Sequence, residues 1–188
     1  MIMNKSCLVL IAVCCSLACA SRAQDTATTN VLKTEIENSE AQTGTVIVKG
    51  VGLGGSLTTG AGIISVRLKE SIDVSHGGKL YGLAIGLGAG PSRGFLIVDY
   101  DELDSLINGM DYLAKIGYDA TAMQAFEASF TTRSGLRMVA YSTVRQGGIH
   151  TYLQLGDAPK ISLAPDQFAQ FQNMITQAKS SLDALKNK

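Results

Sequence analysis

The sequence repeats one order of predicted elements, four strands and then a helix, and this repeat is the strongest constraint on the fold. Alternating apolar segments lie at residues 45–49, 63–69, 79–85 and 94–98, and again at 125–132, 136–143, 149–155 and 160–163. A helical pattern follows each set. Because a half-buried sheet and an amphipathic helix each present one apolar face, this order predicts an α+β fold. We expect a pseudo-duplicated ββββα-ββββα domain with antiparallel sheets, one long helix after each sheet and one shared core.

The two predicted helices carry apolar stripes that match in register. The stripes consist of Leu103, Leu106, Ile107, Met110 and Leu113 in the first helix, and of Phe168, Phe171, Ile175, Ala178, Leu182 and Leu185 in the second. An offset of 65 residues places Leu106 on Phe171 and Met110 on Ile175. The repeats then span residues 44–118 and 124–188, and Leu106 and Phe171 are expected to be buried at equivalent positions.

Residues 1–23 have the pattern of an export signal. Lys5 precedes a short apolar run, Cys7–Cys15, and small residues offer cleavage sites after Ala20 and after Ala23. The run is too short to cross roughly 30 Å of hydrocarbon, so we expect no transmembrane segment in the mature chain. The protein is therefore expected to be periplasmic or extracellular. A lipoprotein anchor at Cys19 is the competing interpretation.

The mature chain has a limited chemical repertoire. All four cysteines (Cys7, Cys14, Cys15 and Cys19) lie in the signal, so the exported part has no disulfide, thiolate nucleophile or cysteine metal ligand. Polar residues 24–43 predict a linker, followed by a single domain at 44–188. Without Lys5 and Arg22 the chain has 14 basic and 16 acidic residues, a balance that demands neither nucleic acid nor an anionic membrane as a partner.

A glycine-rich stretch from Val46 to Gly62 fits the spacing of a dinucleotide-binding loop. Gly50, Gly52 and Gly55 supply the three glycines of that motif. In such a loop, however, a helix must follow and direct its free N–H groups at the phosphates. Here the glycines lead into another alternating strand. The stretch therefore predicts a hairpin, and we expect no cofactor.

Four acidic residues, Asp99, Asp101, Glu102 and Asp104, form the one acidic cluster. A calcium site or a hydrolytic acid/base pair is one interpretation of it. The other is the start of a helix, where the dipole favours carboxylates. The calcium-loop spacing is missing, and the chain has no motif for an activated nucleophile. We favour the structural interpretation and expect neither a catalytic residue nor an enzyme.

The two histidines, His76 and His150, lie beside the equivalent Gly-Gly turns of the two halves. Pseudo-symmetry could bring them together, but neither has an acidic partner at the spacing of a metal site. We therefore expect no metal.

One face of the second predicted sheet combines aromatic and basic side chains. Arg137, Tyr141, His150, Tyr152 and Gln154 all alternate away from the apolar face. Such a face can stack bases and hold phosphates. It is also typical of a solvated sheet surface, or of one buried in a dimer. We take Arg137, Tyr141, His150 and Tyr152 as the candidate ligand-binding residues.

The closing segment ISLAPDQFAQFQNMITQA (Ile161 to Ala178) resembles the end of a known module, in which a short strand and a Pro-acid-Gln turn open a long helix. That module is the fold of single-stranded-DNA-binding transcriptional regulators, which include the positive cofactor four coactivators and, in duplicated form, the Whirly proteins. The resemblance implies oligomerisation through strands and helices, and nucleic acid held on the sheet.

These observations lead to two functional hypotheses. The first is an exported, non-enzymatic binding or structural module for an unknown ligand or protein partner, with a homo-oligomer left open. The alternative is a module that binds single-stranded nucleic acid or another polyanion through the second-half sheet face. Steep loss of binding with salt would distinguish the alternative.

Overall fold

The computed structural model describes residues 33–87, 95–144 and 147–188. The α-helices within these ranges are α1 (Glu35–Glu40), α2 (Leu103–Lys115) and α3 (Pro165–Lys186). The strands are β1 (Ile47–Thr59), β2 (Gly62–Asp73), β3 (Gly78–Leu87), β4 (Phe95–Asp99), β5 (Glu127–Thr131), β6 (Leu136–Ser142), β7 (Ile149–Leu155) and β8 (Ile161–Leu163). The predicted signal, the Cys19 anchor and the first part of the predicted linker lie outside the described residues. No helix in the described ranges has the length and apolarity needed to cross a membrane.

The eight strands form two four-stranded sheets, with the order β1-β2-β3-β4 in the first and β5-β6-β7-β8 in the second. Every pair of neighbours is antiparallel. Helix α2 follows the first sheet and α3 follows the second. The predicted α+β fold with a repeated ββββα order is therefore confirmed.

Each of the two long helices packs mainly on the sheet of the other half. Helix α2 contacts β5 and β6, whereas α3 lies across β1, β2 and β3, and the two helices also contact each other. The apolar cluster that results takes residues from both sheets and both helices. Leu106 and Phe171 are both fully buried in it, as their matching positions predict. The two halves therefore share one core, and neither sheet is covered by the helix of its own half alone.

The glycine-rich stretch forms β1 and its hairpin with β2. The register between the strands shifts between Leu53 and Gly55, so Gly54 is the extra residue of a β-bulge. A Cβ atom at Gly54 would lie 3.0 Å from a side-chain carbon and from the carbonyl oxygen of Val66. The glycine is needed there because the neighbouring strand approaches so closely. The stretch is followed by β2 and not by a helix, in agreement with the predicted hairpin.

Helix α1 forms within the segment that the sequence pattern assigns to the linker. Its N-terminus is closed by a capping box: Thr34 Oγ1 accepts from the Glu37 N–H at 3.1 Å, and the Glu37 carboxylate accepts from the Thr34 N–H at 3.0 Å. Ile36 is fully buried against the first sheet. Asp99 of β4 accepts from the Glu35 N–H at 2.6 Å. The folded part of the chain thus begins before Gly44.

The shared core predicts a large difference between two leucines of α3. Leu182 is fully buried and Leu185 is 42% exposed. We expect Leu182→Ala to lower the free energy of unfolding by about 2–5 kcal/mol, because it leaves a cavity where the helix meets the other half's sheet. Leu185→Ala, the matched control, should cost less than about 1 kcal/mol. Urea unfolding followed by circular dichroism measures both, and equal losses would contradict the packing described.

Candidate ligand-binding face

Strands β6 and β7 bring the four predicted site residues onto one face of the second sheet. Tyr141 lies opposite His150, Val139 opposite Tyr152, and Arg137 opposite Gln154. Because side chains directly opposite each other share a face, these six form one surface. The alternate residues of both strands, including Leu136, Met138 and Leu153, are buried in the core on the other face.

Three of the rings form a continuous row that ends on a lysine. The centroids of His150 and Tyr141 are 5.6 Å apart, and those of Tyr141 and Tyr152 are 5.9 Å apart in an edge-to-face arrangement. The Nζ atom of Lys160 lies 4.4 Å from the centroid of the Tyr152 ring, a cation–π distance. We call His150, Tyr141, Tyr152 and Lys160 the aromatic row.

The aromatic row changes from exposed to buried along its length. His150 is exposed, Tyr141 is half-buried, and Tyr152 is only 5% exposed. The Tyr152 hydroxyl is buried and has no hydrogen-bond partner among the described residues. An unsatisfied buried hydroxyl costs about 1–3 kcal/mol.

Arg137 has a counterion within the same sheet. Its guanidinium contacts Glu127 Oε1 at 2.6 Å, and the two side chains are 40% and 51% exposed. An ion pair this exposed contributes only about 0–1 kcal/mol. An anionic ligand could therefore replace Glu127 at little cost, but Arg137 is not a free cation.

His150 also lines a cavity of about 330 Å³ at the beginning of β7. The cavity lies between the end of α2, at Leu113 and Ile116, and the start of α3, at Pro165 and Phe168. Its volume is within the range of about 300–1,000 Å³ typical of small-molecule sites. The sequence pattern does not reveal it, because its walls come from segments far apart in the chain. His150 is the residue that connects the cavity with the aromatic row.

The acidic cluster is engaged by an arginine from the other half of the chain. Arg133, in the β5–β6 connection, places Nε 3.2 Å from Glu102 Oε2 and also contacts Asp101. Its backbone N–H donates to Glu102 Oε1 at 2.8 Å. Burial acts to lower the pKa of Arg133, but the hydrogen bond to Asp101 and the nearby negative charges outweigh it and raise the pKa. These contacts favour the structural interpretation of the cluster.

The other predicted chemical groups are held by local contacts. At the β2–β3 turn the Asp73 carboxylate accepts from Thr45 Oγ1 at 2.7 Å and lies 2.7 Å from His76 Nδ1. The hydrogen bond from Thr45, followed by those from His76 and Ser75, lowers the pKa of Asp73 to about 2 against the opposing effect of burial. Among the described residues, no group of three or more acidic, histidine or cysteine side chains is arranged to hold a metal ion.

Comparison with known proteins does not assign this chain to a family. The chain matches no model of a known protein family, no curated protein and no solved structure. The resemblance to the fold of single-stranded-DNA-binding transcriptional regulators therefore stays a prediction.

Arg133 in the β5–β6 connection and Arg137 in β6 allow a matched test of the acidic cluster. Arg133 also lies 3.8 Å from Asp99, so Arg133→Gln leaves the nearly buried Asp99 and Glu102 without this cation. We therefore expect a loss of about 1.5–3 kcal/mol in the free energy of unfolding. Arg137→Gln breaks only an exposed pair and should cost about 0–1 kcal/mol. Denaturant unfolding of both variants decides this. A loss no larger for Arg133→Gln than for Arg137→Gln would mean that Arg133 does not join the halves.

The low pKa of Asp73 predicts that the folded protein loses part of its stability in acid. Its pKa falls from 3.8 to about 2 in the folded state, so the unfolded chain binds the proton more readily. The stabilisation is therefore complete above about pH 5 and is lost as the pH falls towards about 2. We expect Asp73→Asn to lower the urea midpoint at neutral pH and to show a flatter decline on acidification. Asp157→Asn, at an exposed position, should keep the wild-type pH profile. A wild-type profile for Asp73→Asn would contradict the assignment.

Proposed function

We propose that this chain is an exported, non-enzymatic binding module whose ligand-binding surface is the aromatic row on β6, β7 and Lys160. The observation that carries the proposal is the continuous row of rings on one sheet face, in which His150 and Tyr141 leave ring surface exposed and Lys160 lies over Tyr152. The export component rests on the sequence pattern of residues 1–23.

The aromatic rings and the lysine of the aromatic row favour a ligand that is planar or anionic. Tyr141 and His150 leave ring surface open to solvent, and aromatic faces bind planar groups by stacking. Lys160 adds a positive charge for which the described residues provide no ion pair. A ligand with a planar group and an anionic group would use both ends of the row.

The contacts of the candidate catalytic groups support a binding role over catalysis. Asp99 is bound to the N-terminus of α1, Glu102 to Arg133, and His76 to Asp73. A general acid or base needs a proton acceptor or donor site that faces the substrate. Asp99 and Glu102 thus bind other elements of the fold, whereas His76 contacts only Asp73 within its own turn.

A single-stranded nucleic acid or another polyanion is the second candidate ligand. Two features favour it: the Lys160 charge over Tyr152, and the easily displaced counterion of Arg137. A chain of phosphates or sulfates would exchange with Glu127 at Arg137 on β6 and meet Lys160 on the far side of β7. Stacking on Tyr141 would add affinity without sequence preference.

Binding to a labelled single-stranded oligonucleotide tests the second candidate. With two phosphate contacts, at Arg137 and Lys160, the logarithm of the association constant should fall with the logarithm of salt at a slope of about −1.4. Lys160→Gln should reduce the slope by about 0.7. Tyr141→Ala should weaken binding by about 1–3 kcal/mol and leave the slope unchanged. Lys115→Gln, an exposed lysine on α2, is the control.

The broader proposal has its own test, so that the two can fail separately. A thermal-shift screen of planar and anionic small molecules should yield ligands whose stabilisation is lost in Tyr141→Ala. The matched control is Tyr112→Ala, because Tyr112 is 63% exposed on α2. If no ligand depends on Tyr141, the aromatic row is not the binding surface. Failure of oligonucleotides alone would exclude only the nucleic-acid candidate.

A further inference from the structure

Strand β1 lies at one edge of the first sheet and is much longer than the other edge strands. It has 13 residues, whereas β4 and β5 have five each and β8 has three. Within the described ranges β2 is its one strand neighbour. Short edges are a common protection against unwanted strand pairing. β1 lacks that protection.

The side chains of β1 also leave it open to association. Leu53 is 93% exposed and Val51 is 67% exposed, and both lie on the sheet face away from α3. Lys49 is the one charged residue in Ile47–Thr59, and the strand contains no proline. Charged and proline residues are the usual means by which an edge strand discourages a partner.

The hydrogen bonds at the start of β1 identify the residues that face its free edge. The Val74 N–H donates to the Val46 carbonyl at 3.0 Å, so Val46 directs its backbone groups toward β2. Because this direction alternates along an antiparallel strand, the next residues that face outward are Ile47, Lys49, Val51 and Leu53. The regular alternation ends there, at the bulge formed by Gly54.

We propose that a second copy of this chain pairs with the free edge of β1, antiparallel and about a two-fold axis at Gly50. In this register Ile47 lies opposite Leu53 of the second copy, and Lys49 lies opposite Val51. This is the self-pairing that uses all four outward-facing residues of both copies before the bulge. It joins the two first sheets into one eight-stranded sheet.

Charge and size are both compatible with this pairing. Each Lys49 lies 2.9 Å from Glu40, a carboxylate that also binds Lys69 at 2.9 Å, so Glu40 offsets part of the Lys49 charge. In this register each Lys49 lies opposite a valine and not opposite the second Lys49. At about 3.4 Å per residue the seven paired residues form a strip about 24 Å long. An interface of this size falls in the small class, below about 1,200 Å² in total. The dimer should therefore depend on protein concentration.

Sedimentation velocity across a range of concentrations tests the association itself. We expect a monomer–dimer equilibrium that Leu53→Lys weakens at least tenfold, because two lysines would be added to the joined edge. The variant should fold normally, since Leu53 is almost fully exposed. The control is Met123→Lys, because Met123 is 74% exposed in the segment that precedes β5. This variant should leave the monomer–dimer equilibrium unchanged. A chain that stays monomeric, or a dimer indifferent to Leu53→Lys, overturns the proposal.

Disulfide trapping tests the register. The four native cysteines are replaced by serine, and Ile47→Cys and Leu53→Cys variants are oxidised separately and as a mixture. Residues opposite each other have Cα atoms about 5.5 Å apart, which a disulfide can bridge. We expect the mixed disulfide to dominate, because two Leu53 positions would be about 20 Å apart. Efficient homodimers of Leu53→Cys, or no crosslink in the mixture, would exclude pairing about Gly50.

Discussion

The packing of each long helix on the other half's sheet is the constraint on which the rest of the structure depends. A four-stranded sheet with one apolar face is stable in water only when another element covers that face. Here α3 covers the first sheet and α2 lies on the second, so the core closes only when both halves are present. This mutual cover explains how residues 33–188, which contain no cysteine, can hold one shared core together by packing.

The polar contacts reinforce this arrangement at the places where packing alone would leave the elements free to shift. Arg133 comes from the second sheet and binds carboxylates at the start of α2, so it ties the halves together at their surface. Asp99 and Glu40 hold α1 to the first sheet from its two ends. In the sequence, the acidic cluster suggests a calcium site or an acid/base pair. In the structure, Asp99 binds α1, and Asp101 and Glu102 bind Arg133.

Much of the fold could be predicted because its signals are local. Alternation gives the strands and their faces, and the spacing of Leu106 and Phe171 gives two buried stripes. The misses involve contacts between distant segments. A short helical piece around Val31 to Ile36 is compatible with the sequence, but α1 has one buried apolar residue, Ile36, and so has no periodic stripe to fix its bounds at Glu35–Glu40. For the candidate site, alternation places Tyr152 on the correct face, but its burial depends on neighbours such as Lys160 that periodicity does not specify.

Because each long helix packs on the other half's sheet, the order in which the chain can fold is also constrained. The first sheet is synthesised early, yet the helix that covers it begins only at Pro165. Its apolar face therefore stays uncovered while most of the chain is made, and closure depends on contacts of large sequence separation, which form slowly. In this topology the first sheet therefore cannot complete its core before α3 has been made, which couples the folding of the first half to the last element of the chain.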